Sequence, residues 1–130
     1  MPIDVRWDND DKTVIRLVAT DSWNWNDFYK TMRQAATWFY AVLHPVELVI
    51  DLRGTTKMPA GALGHIRSLG KRIAPPGRDR LLLIGLESGL AQTLGGADGR
   101  YSGDDRLIRF VQTDDDAQAV LAEWLAESED

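Results

Sequence analysis

The sequence contains no cysteine and only two histidines, and these shortages exclude several kinds of site. Without cysteine the chain cannot form disulfide bonds, use a thiolate nucleophile or build a cysteine-based zinc or iron–sulfur centre. The two histidines form neither an H-x-x-x-H nor an H-E-x-x-H pattern, and the carboxylates are scattered. We therefore predict neither a metal nor a cofactor.

Long apolar runs and an excess of positive charge are also missing. No run approaches the ~18–20 apolar residues of a membrane-spanning helix, and the opening MPIDVRWDNDD has no basic and apolar leader. The net charge of −5 disfavours nucleic acid as the main partner, because binding of phosphate needs a basic face. We expect a cytoplasmic protein that neither inserts into membranes nor binds nucleic acid. One local group of basic residues is interpreted as ordinary solvated charge: Lys71, Arg72, Arg78 and Arg80.

The residues that are present fit a single folded domain. A chain of 130 residues, with 44% apolar and 27% charged residues, can bury one core. No internal repeat and no linker divides the sequence. We expect one domain over residues 1–130, with its ordered core at about residues 3–127.

Five segments have the polarity of β-strands. Residues 3–7 and 13–20 alternate in polarity on either side of the turn-forming run DNDD, which predicts a hairpin. Residues 46–52 and 80–86 are almost continuously aliphatic, as expected of central strands that are buried on both faces. Residues 106–113 alternate again and predict a further strand.

The first helix has the clearest pattern. Asn24 is followed three residues later by Asp27, which predicts a capping box at the helix start. Apolar residues then recur at spacings of three and four as far as Leu43. His44 and Pro45 are predicted to end this helix, because proline biases the preceding residue away from helix.

Three further helices complete the pattern. The second is predicted to begin at Pro59 or Ala60 and to continue to Ile73, and a short third helix at 88–94 is capped by Ser88. The last begins at three aspartates, which favour a helix N-terminus, and its apolar stripe is formed by Ala117, Val120, Leu121, Trp124 and Leu125.

The resulting order of elements is ββαβαβ(α)βα. Strands that alternate with helices predict the α/β class, with a mostly parallel central sheet, an N-terminal hairpin and helices packed on the sheet. The segment 95–105 is rich in glycine and aspartate and is predicted to be a mobile loop.

No complete catalytic set can be named from the sequence. The segment GLESG at 85–89 places Ser88 fourth, whereas the nucleophile elbow G-x-S-x-G needs serine in the third position. The glycine-rich loop lacks the spacing of phosphate-binding motifs. An enzyme that uses Asp51, Arg53 and His65 is a remaining alternative, although their spacing pairs no acid with a base. We predict no catalytic residue.

The segment DLRGTTKMPAGALG at residues 51–64 carries the strongest indication of function. It follows a predicted strand and leads into the second helix, where free amides favour an anion or phosphoryl group. Gly61 and Gly64 lie on the first turn, and a glycine inside a helix costs ~1 kcal/mol against alanine. Such glycines indicate close approach, either of the helix to the sheet or of a partner to the helix.

The same segment resembles the STAS domain family (sulfate transporter and anti-sigma-factor antagonist, sporulation AA-like). In that family a strand ending in D-L-S is followed by a turn and a helix that opens with D-S-S-G-L-G. Asp51 and Leu52 stand at D-L, Arg53 replaces the serine, and residues 62–64 (ALG) match G-L-G. The predicted order of elements over residues 3–127 agrees as well. The resemblance implies a STAS-like fold and a non-enzymatic regulator.

One departure removes the switch that the resemblance implies. In the antagonists of this family the helix-opening serine is phosphorylated by a partner kinase, and the added charge releases the complex. Residues 59–61 (PAG) occupy these positions here, with Gly61 at the site of the serine, so the serine phosphoswitch cannot operate. Phosphorylation of Thr55, Thr56 or Ser68 stays open.

Two hypotheses for function follow. The first is a non-enzymatic STAS-like module that binds a protein partner, such as a kinase or regulator, through the turn and helix at 53–70. Its predicted partner-binding residues are Arg53, Thr55, Thr56, Lys57, Ala60, Gly61, Gly64 and His65. The alternative is a small-molecule or lipid-binding module of SEC14-like type, with an apolar pocket between the first helix and the sheet. A homodimer is compatible with both, and the sequence does not identify the partner.

Overall fold

A six-stranded mixed β-sheet lies at the centre of the fold. The computed structural model describes residues 2–71 and 80–128, and over these residues it shows a mixed α/β fold with four α-helices. The strands are β1 (Ile3–Trp7), β2 (Val14–Asp21), β3 (Glu47–Thr55), β4 (Arg80–Ile84), β5 (Arg100–Ser102) and β6 (Leu107–Val111). The helices are α1 (Trp25–Phe39), α2 (Ala62–Ser68), α3 (Ser88–Gly95) and α4 (Asp114–Ser128), and a 3-10 turn at Gly96–Asp98 follows α3.

The order of strands across the sheet is β1-β2-β3-β4-β6-β5. The four inner strands β2, β3, β4 and β6 are parallel, whereas β1 and β5 run antiparallel at the two edges. Parallel neighbours need crossover connections, and helices supply them here. The predicted α/β class and the N-terminal hairpin are confirmed.

Side-chain alternation divides the core into two layers. On β3, Ile50 packs into a larger cluster shared with α1, α2 and α3, whereas its neighbour Val49 packs into a smaller cluster under α4. Asp51 and Arg53 stand two and four residues after Val49 on the same strand, so their side chains lie on the α4 side of the sheet as well. The stripe that α4 buries is the predicted one: Ala117, Val120, Leu121 and Trp124, with Leu125 packed against them.

The first helix begins as predicted but ends earlier. The Asn24 side chain accepts a hydrogen bond from the Asp27 amide at 2.8 Å, and the Asp27 carboxylate accepts one from the Asn24 amide at 3.4 Å, which confirms the capping box. The helix ends at Phe39, whereas the spacing predicted Leu43. Tyr40 is 73% exposed and Leu43 is fully exposed, so these apolar side chains have no sheet surface to pack on.

The second helix is shorter than predicted. It begins at Ala62, after Gly61, whose φ of +81° is left-handed and cannot belong to a right-handed helix. The predicted start at Pro59 or Ala60 is therefore wrong. The helix ends at Ser68, and the predicted end at Ile73 lies outside the described residues.

Strand β3 is longer than predicted. Its ladder with β2 continues past residue 52, because residues 20–21 pair with Gly54 and Thr55. The predicted turn after Leu52 therefore begins only at Thr56. Cross-strand pairing is a tertiary interaction, and the run of aliphatic residues alone could not reveal it.

The predicted mobile loop at 95–105 contains regular structure. The 3-10 turn is followed by β5, in which Arg100 pairs with Arg109 and Ser102 pairs with Leu107 of β6. Backbone hydrogen bonds to a neighbouring strand do not require apolar side chains. The glycine-rich composition therefore concealed an edge strand.

One member of the basic group is not solvated charge. Nη2 of Arg80 lies 2.8 Å from Oε1 of Glu47, its Nη1 lies 2.8 Å from Oε2 of Glu127, and its side chain is 11% exposed. The hydrogen bond to Glu47 raises the pKa of Arg80 above its ordinary value. Lys71 is exposed, and Arg72 and Arg78 lie outside the described residues.

Candidate functional site

Two tryptophans hold the segment that joins β3 to α2. Nε1 of Trp23 donates to Oγ1 of Thr55 at 3.0 Å, and Nε1 of Trp25 donates to the carbonyl of Ala60 at 2.9 Å. Trp23 is buried, and its ring meets that of Trp25 edge to face at 5.1 Å. The loop at 56–61 is therefore anchored at both ends by indole N–H groups from the start of α1.

His65 of α2 is fixed by the same aromatic cluster. Its ring stacks on Trp25 with centroids 4.4 Å apart, and its Nδ1 lies 2.9 Å from the Tyr29 hydroxyl. The Tyr29 hydroxyl is also 3.4 Å from Oγ of Ser68, which donates to the carbonyl of His65 at 2.6 Å. His65 thus ties α2 to α1, and this contact orients the exposed side of α2.

Five positions of this segment are exposed on its outer side. We call them the turn–helix surface, and they are Thr56, Lys57, Ala60, Gly61 and Gly64. Around Gly64, no heavy atom of the described residues lies within 4 Å of the place that a Cβ would take, apart from the chain beside it and the helix backbone. The interpretation that Gly64 marks close packing of α2 on the sheet is therefore wrong. Gly61 is explained by its positive φ.

A cavity of about 410 Å³ adjoins the turn–helix surface. It opens beside the carboxyl ends of β3 and β4, the edge where open parallel sheets bind ligands. Lys57 and Glu87 give it one cationic and one anionic side chain. Its other lining residues are Leu52, Thr55, Thr56, Met58, Gly85 and Leu90.

Glu87 also caps α3, where Ser88 was predicted to do so. Its carboxylate accepts hydrogen bonds from the amides of Gly89 at 2.8 Å and Leu90 at 3.3 Å. These amides are therefore occupied by a carboxylate of the chain itself. Serine and glutamate are adjacent, and only the backbone angles at this turn decide which side chain reaches the amides.

Asp51, the first residue of the motif, lies in an ionic cluster on the opposite side of the sheet. Arg16 is 3% exposed and donates through Nε and Nη2 to both oxygens of Asp8, at 2.9 and 3.0 Å. Its Nη1 donates to Oδ2 of Asp51 at 3.0 Å, and its Nη2 donates to Oδ1 of Asp114 at 3.1 Å. Arg53 donates through Nε and Nη2 to the two oxygens of Asp51, at 3.0 and 2.7 Å.

Electrostatics fix the charge states in this cluster. Burial opposes ionisation of Asp51, but hydrogen bonds from Arg53 and the positive charges of Arg53 and Arg16 outweigh it and lower the pKa of the Asp51 carboxyl. Burial likewise opposes the charge of Arg16, and Asp8 and Asp114 raise its pKa above the ordinary value. A carboxylate with a lowered pKa that is saturated by two guanidinium groups is a poor proton acceptor. The cluster is suited to joining β2, β3 and α4.

The structure does not bring Asp51, Arg53 and His65 together. Asp51 and Arg53 lie on the α4 side of the sheet, whereas His65 contacts α1 on the other side. These three residues therefore do not form one site. No group of three histidine or carboxylate residues within residues 2–71 and 80–128 is placed to hold a metal ion.

The predicted partner-binding residues separate into three groups. Arg53 is exposed but lies on the α4 side, bound to Asp51. Thr55 and His65 are half-buried and hydrogen-bonded to aromatic side chains of the α1 region. The remaining five form the turn–helix surface: Thr56, Lys57, Ala60, Gly61 and Gly64.

Several organising residues were missed at the level of sequence. Trp25 and Tyr29 belong to the segment WNWNDFY, at the start of the predicted first helix. The apolar spacing of that helix did not reveal hydrogen bonds from these side chains to other elements. Arg16 is the charged residue within the predicted strand TVIRLVAT, whose other residues are mostly apolar. A charged residue in such a strand was the signal in the sequence for a buried ion pair. A buried arginine needs carboxylate partners. Asp51, at the end of a predicted buried strand, could have been named as a partner of Arg16.

Comparisons with known proteins add no relative. No protein-family model, no curated protein and no solved structure matches this chain. No helix in the described part of the chain is both long and apolar enough to cross a membrane.

Proposed function

We propose that this chain is a non-enzymatic STAS-like regulatory module that binds a protein partner through the turn–helix surface, without a serine phosphoswitch. The observation that carries the proposal is the open space around Gly64. A glycine in an exposed helix costs ~1 kcal/mol against alanine, and no packing within the described residues requires it. A partner whose backbone approaches α2 closely does require a residue without a side chain.

The rigidity of the surface supports the same proposal. The loop at 56–61 is held by Trp25, and α2 is held by the contact of His65 with Tyr29. A surface that is ordered before binding loses less conformational entropy when a partner docks. The cavity beside Lys57 offers a place for a side chain of that partner.

The STAS resemblance supports the regulatory part of the proposal. The order of elements agrees with the predicted one except for β5, and the D-L and G-L-G matches fall at β3 and α2. Gly61 is the residue before α2, where the family has its serine, and a serine there would be strained by the φ of +81°. A kinase or another cytoplasmic regulator is the proposed class of partner.

The hydroxyl groups near this surface differ in access. Thr55 accepts a hydrogen bond from Trp23, and Ser68 donates one to the carbonyl of His65; both residues are half-buried. Thr56 is exposed. If a kinase acts on this surface, we expect phosphate at Thr56, next to Lys57.

The SEC14-like alternative is less well supported. Phe28, Met32 and Ala35 of α1 are at most 2% exposed and belong to the same buried apolar cluster as sheet residues such as Leu17 and Ile50. Apolar side chains therefore fill the layer in which a lipid would lie. The cavity of about 410 Å³ lies beside the loop at 56–61 instead.

Affinity capture with matched variants tests the proposed function. Gly64→Arg places a large side chain in open space on a helix, and arginine is a good helix former, so the variant is expected to fold. Ala119→Arg makes the same change at an exposed position of α4 and serves as the control. Partners captured from an extract of the source organism by the wild type should be retained by Ala119→Arg and lost by Gly64→Arg. Equal recovery by a folded Gly64→Arg variant would overturn the proposal. Gly61→Arg is unsuitable, because its positive φ would strain any side chain.

A further inference from the structure

Strand β1 has a free outer edge in the described part of the chain. It pairs with β2 on one side and is the first strand in the sheet order. An unpaired edge presents backbone donors and acceptors to other chains. The β1–β2 ladder shows which residues of β1 direct these backbone groups outward.

The hydrogen bonds that flank β1 define which residues face outward. The carbonyl of Pro2 accepts from the Thr20 amide at 2.8 Å, and the amide of Asp8 donates to the carbonyl of Val14 at 2.8 Å. In an antiparallel pair, alternate residues direct both backbone groups at the neighbouring strand. Even-numbered residues of β1 therefore face β2. The backbone groups of Ile3, Val5 and Trp7 point to the free edge.

The side chains of β1 carry a self-complementary charge pattern. Asp4 and Arg6 are both exposed, have opposite charge, and flank Val5. If two copies of β1 pair antiparallel about Val5, Asp4 of one copy lies opposite Arg6 of the other, twice. We propose that β1 forms a homodimer interface in which two chains join edge to edge about Val5, so that their sheets become one.

The backbone phase and the charges select the same register. Centring on Val5 sets outward-facing residues against outward-facing residues, so each can exchange hydrogen bonds with its opposite number. The Asp4–Arg6 pairs then occupy the non-hydrogen-bonded positions, where side chains are closest. A shift that centres the pair on Asp4 opposes two carboxylates, and one that centres it on Arg6 opposes two guanidinium groups. Like charges directly opposite are destabilising.

The apolar side of β1 adds to the interface. Val5 and Trp7 are half-buried against the core, and Trp7 stacks on Trp38 of α1 at 5.6 Å between centroids. Pairing about Val5 places Ile3 opposite Trp7 and Val5 opposite Val5, so the partly exposed side chains of Val5 and Trp7 meet apolar neighbours. Charges on an edge strand usually prevent pairing. Here they attract when the pair is centred on Val5 and repel in the two adjacent registers, which makes a second copy the favoured occupant.

Charge reversal tests the interface. The wild type is expected to show a concentration-dependent dimer in sedimentation equilibrium, weakened by added salt. Asp4→Arg and Arg6→Asp each set like charges opposite one another, so each should raise the dimer dissociation constant by about tenfold or more, as two reversed cross-strand pairs imply. An equimolar mixture of the two variants should form a heterodimer, because every opposed pair then has opposite charge. The double variant Asp4→Arg/Arg6→Asp should dimerise as the wild type does.

Further variants distinguish this edge from other surfaces. Val5→Pro removes an outward-facing amide that β2 does not use, so circular dichroism should show a folded protein that no longer dimerises. Val5→Thr keeps the amide and should still dimerise. The proposal is overturned if the wild type stays monomeric at millimolar concentration, or if the single charge variants dimerise as strongly as the wild type. These variants leave the turn–helix surface intact, so the two proposals can fail separately.

Discussion

Arg16 and Asp51, which are 35 residues apart in the sequence, form a buried ion pair of 3.0 Å between neighbouring strands. Arg16 lies on β2 and Asp51 on β3, and Asp114 at the start of α4 completes the contact with Arg16 at 3.1 Å. The helix that covers this side of the sheet is therefore tied to the sheet by charge as well as by its apolar stripe. The aspartate that begins the family-like motif has a structural role here.

Removal of Arg16 should be much more costly than removal of Arg53. Arg16→Met leaves three carboxylates without their shared cation, and breaking a buried pair costs about 3 kcal/mol or more. Arg53→Met removes an arginine that is 44% exposed, where an ion pair contributes up to about 1 kcal/mol. Urea denaturation of both variants measures the two losses in free energy of unfolding. Equal losses would show that Arg53 holds Asp51 as firmly as Arg16 does.

The ionised Asp51 should make the protein sensitive to acid. Its folded pKa is lowered from 3.8 by Arg53 and Arg16 despite burial, so the folded state binds a proton less readily than the unfolded state. The stabilisation that the ionised Asp51 gives the folded state is therefore complete at pH values above 3.8, the ordinary pKa of the carboxyl. It is lost as the pH falls through the lower pKa of the folded state. The free energy of unfolding should fall as the pH decreases below 3.8. The Asp51→Asn variant should be less stable at pH 7, and its difference from wild type should shrink in acid; a constant difference would contradict the ionisation state inferred for Asp51.

Sequence patterns predicted the elements of this fold better than they predicted its contacts. The capping box of Asn24 and the apolar stripe of α4 are local features, and both were predicted. The pairing that extends β3 to Thr55 and the edge strand at Arg100–Ser102 depend on neighbouring strands, so local composition misplaced them. The candidate site divides in the same way. Exposure of Thr56, Lys57, Ala60 and Gly61 follows from their position in the loop before α2. The placement of Arg53 on the other side of the sheet follows from strand parity.

The two glycines of the turn–helix surface should respond to alanine in opposite directions. Gly64 has helical backbone and open space, so Gly64→Ala should raise the free energy of unfolding by up to ~1 kcal/mol. Gly61 has a φ of +81°, so Gly61→Ala should lower it by about 1 kcal/mol. Thermal and urea unfolding of these two variants measure the direction of each change in the free energy of unfolding. A loss of stability in Gly64→Ala would mean that α2 packs more tightly than its exposed face indicates.

The indole N–H of Trp25 should control the mobility of the loop at 56–61. Trp25→Phe keeps an aromatic ring beside His65 but removes the donor to the Ala60 carbonyl, a bond of 2.9 Å. Loss of one hydrogen bond, about 1 kcal/mol, should speed local opening about fivefold. Amide hydrogen exchange reports this at His65, whose N–H donates to Gly61 in the first turn of α2. Trp38→Phe removes the same ring atoms at the other end of α1 and should leave this exchange unchanged. If Trp25→Phe also leaves it unchanged, the loop holds its position without the indole, and the preordered surface proposed for partner binding must be held by other contacts.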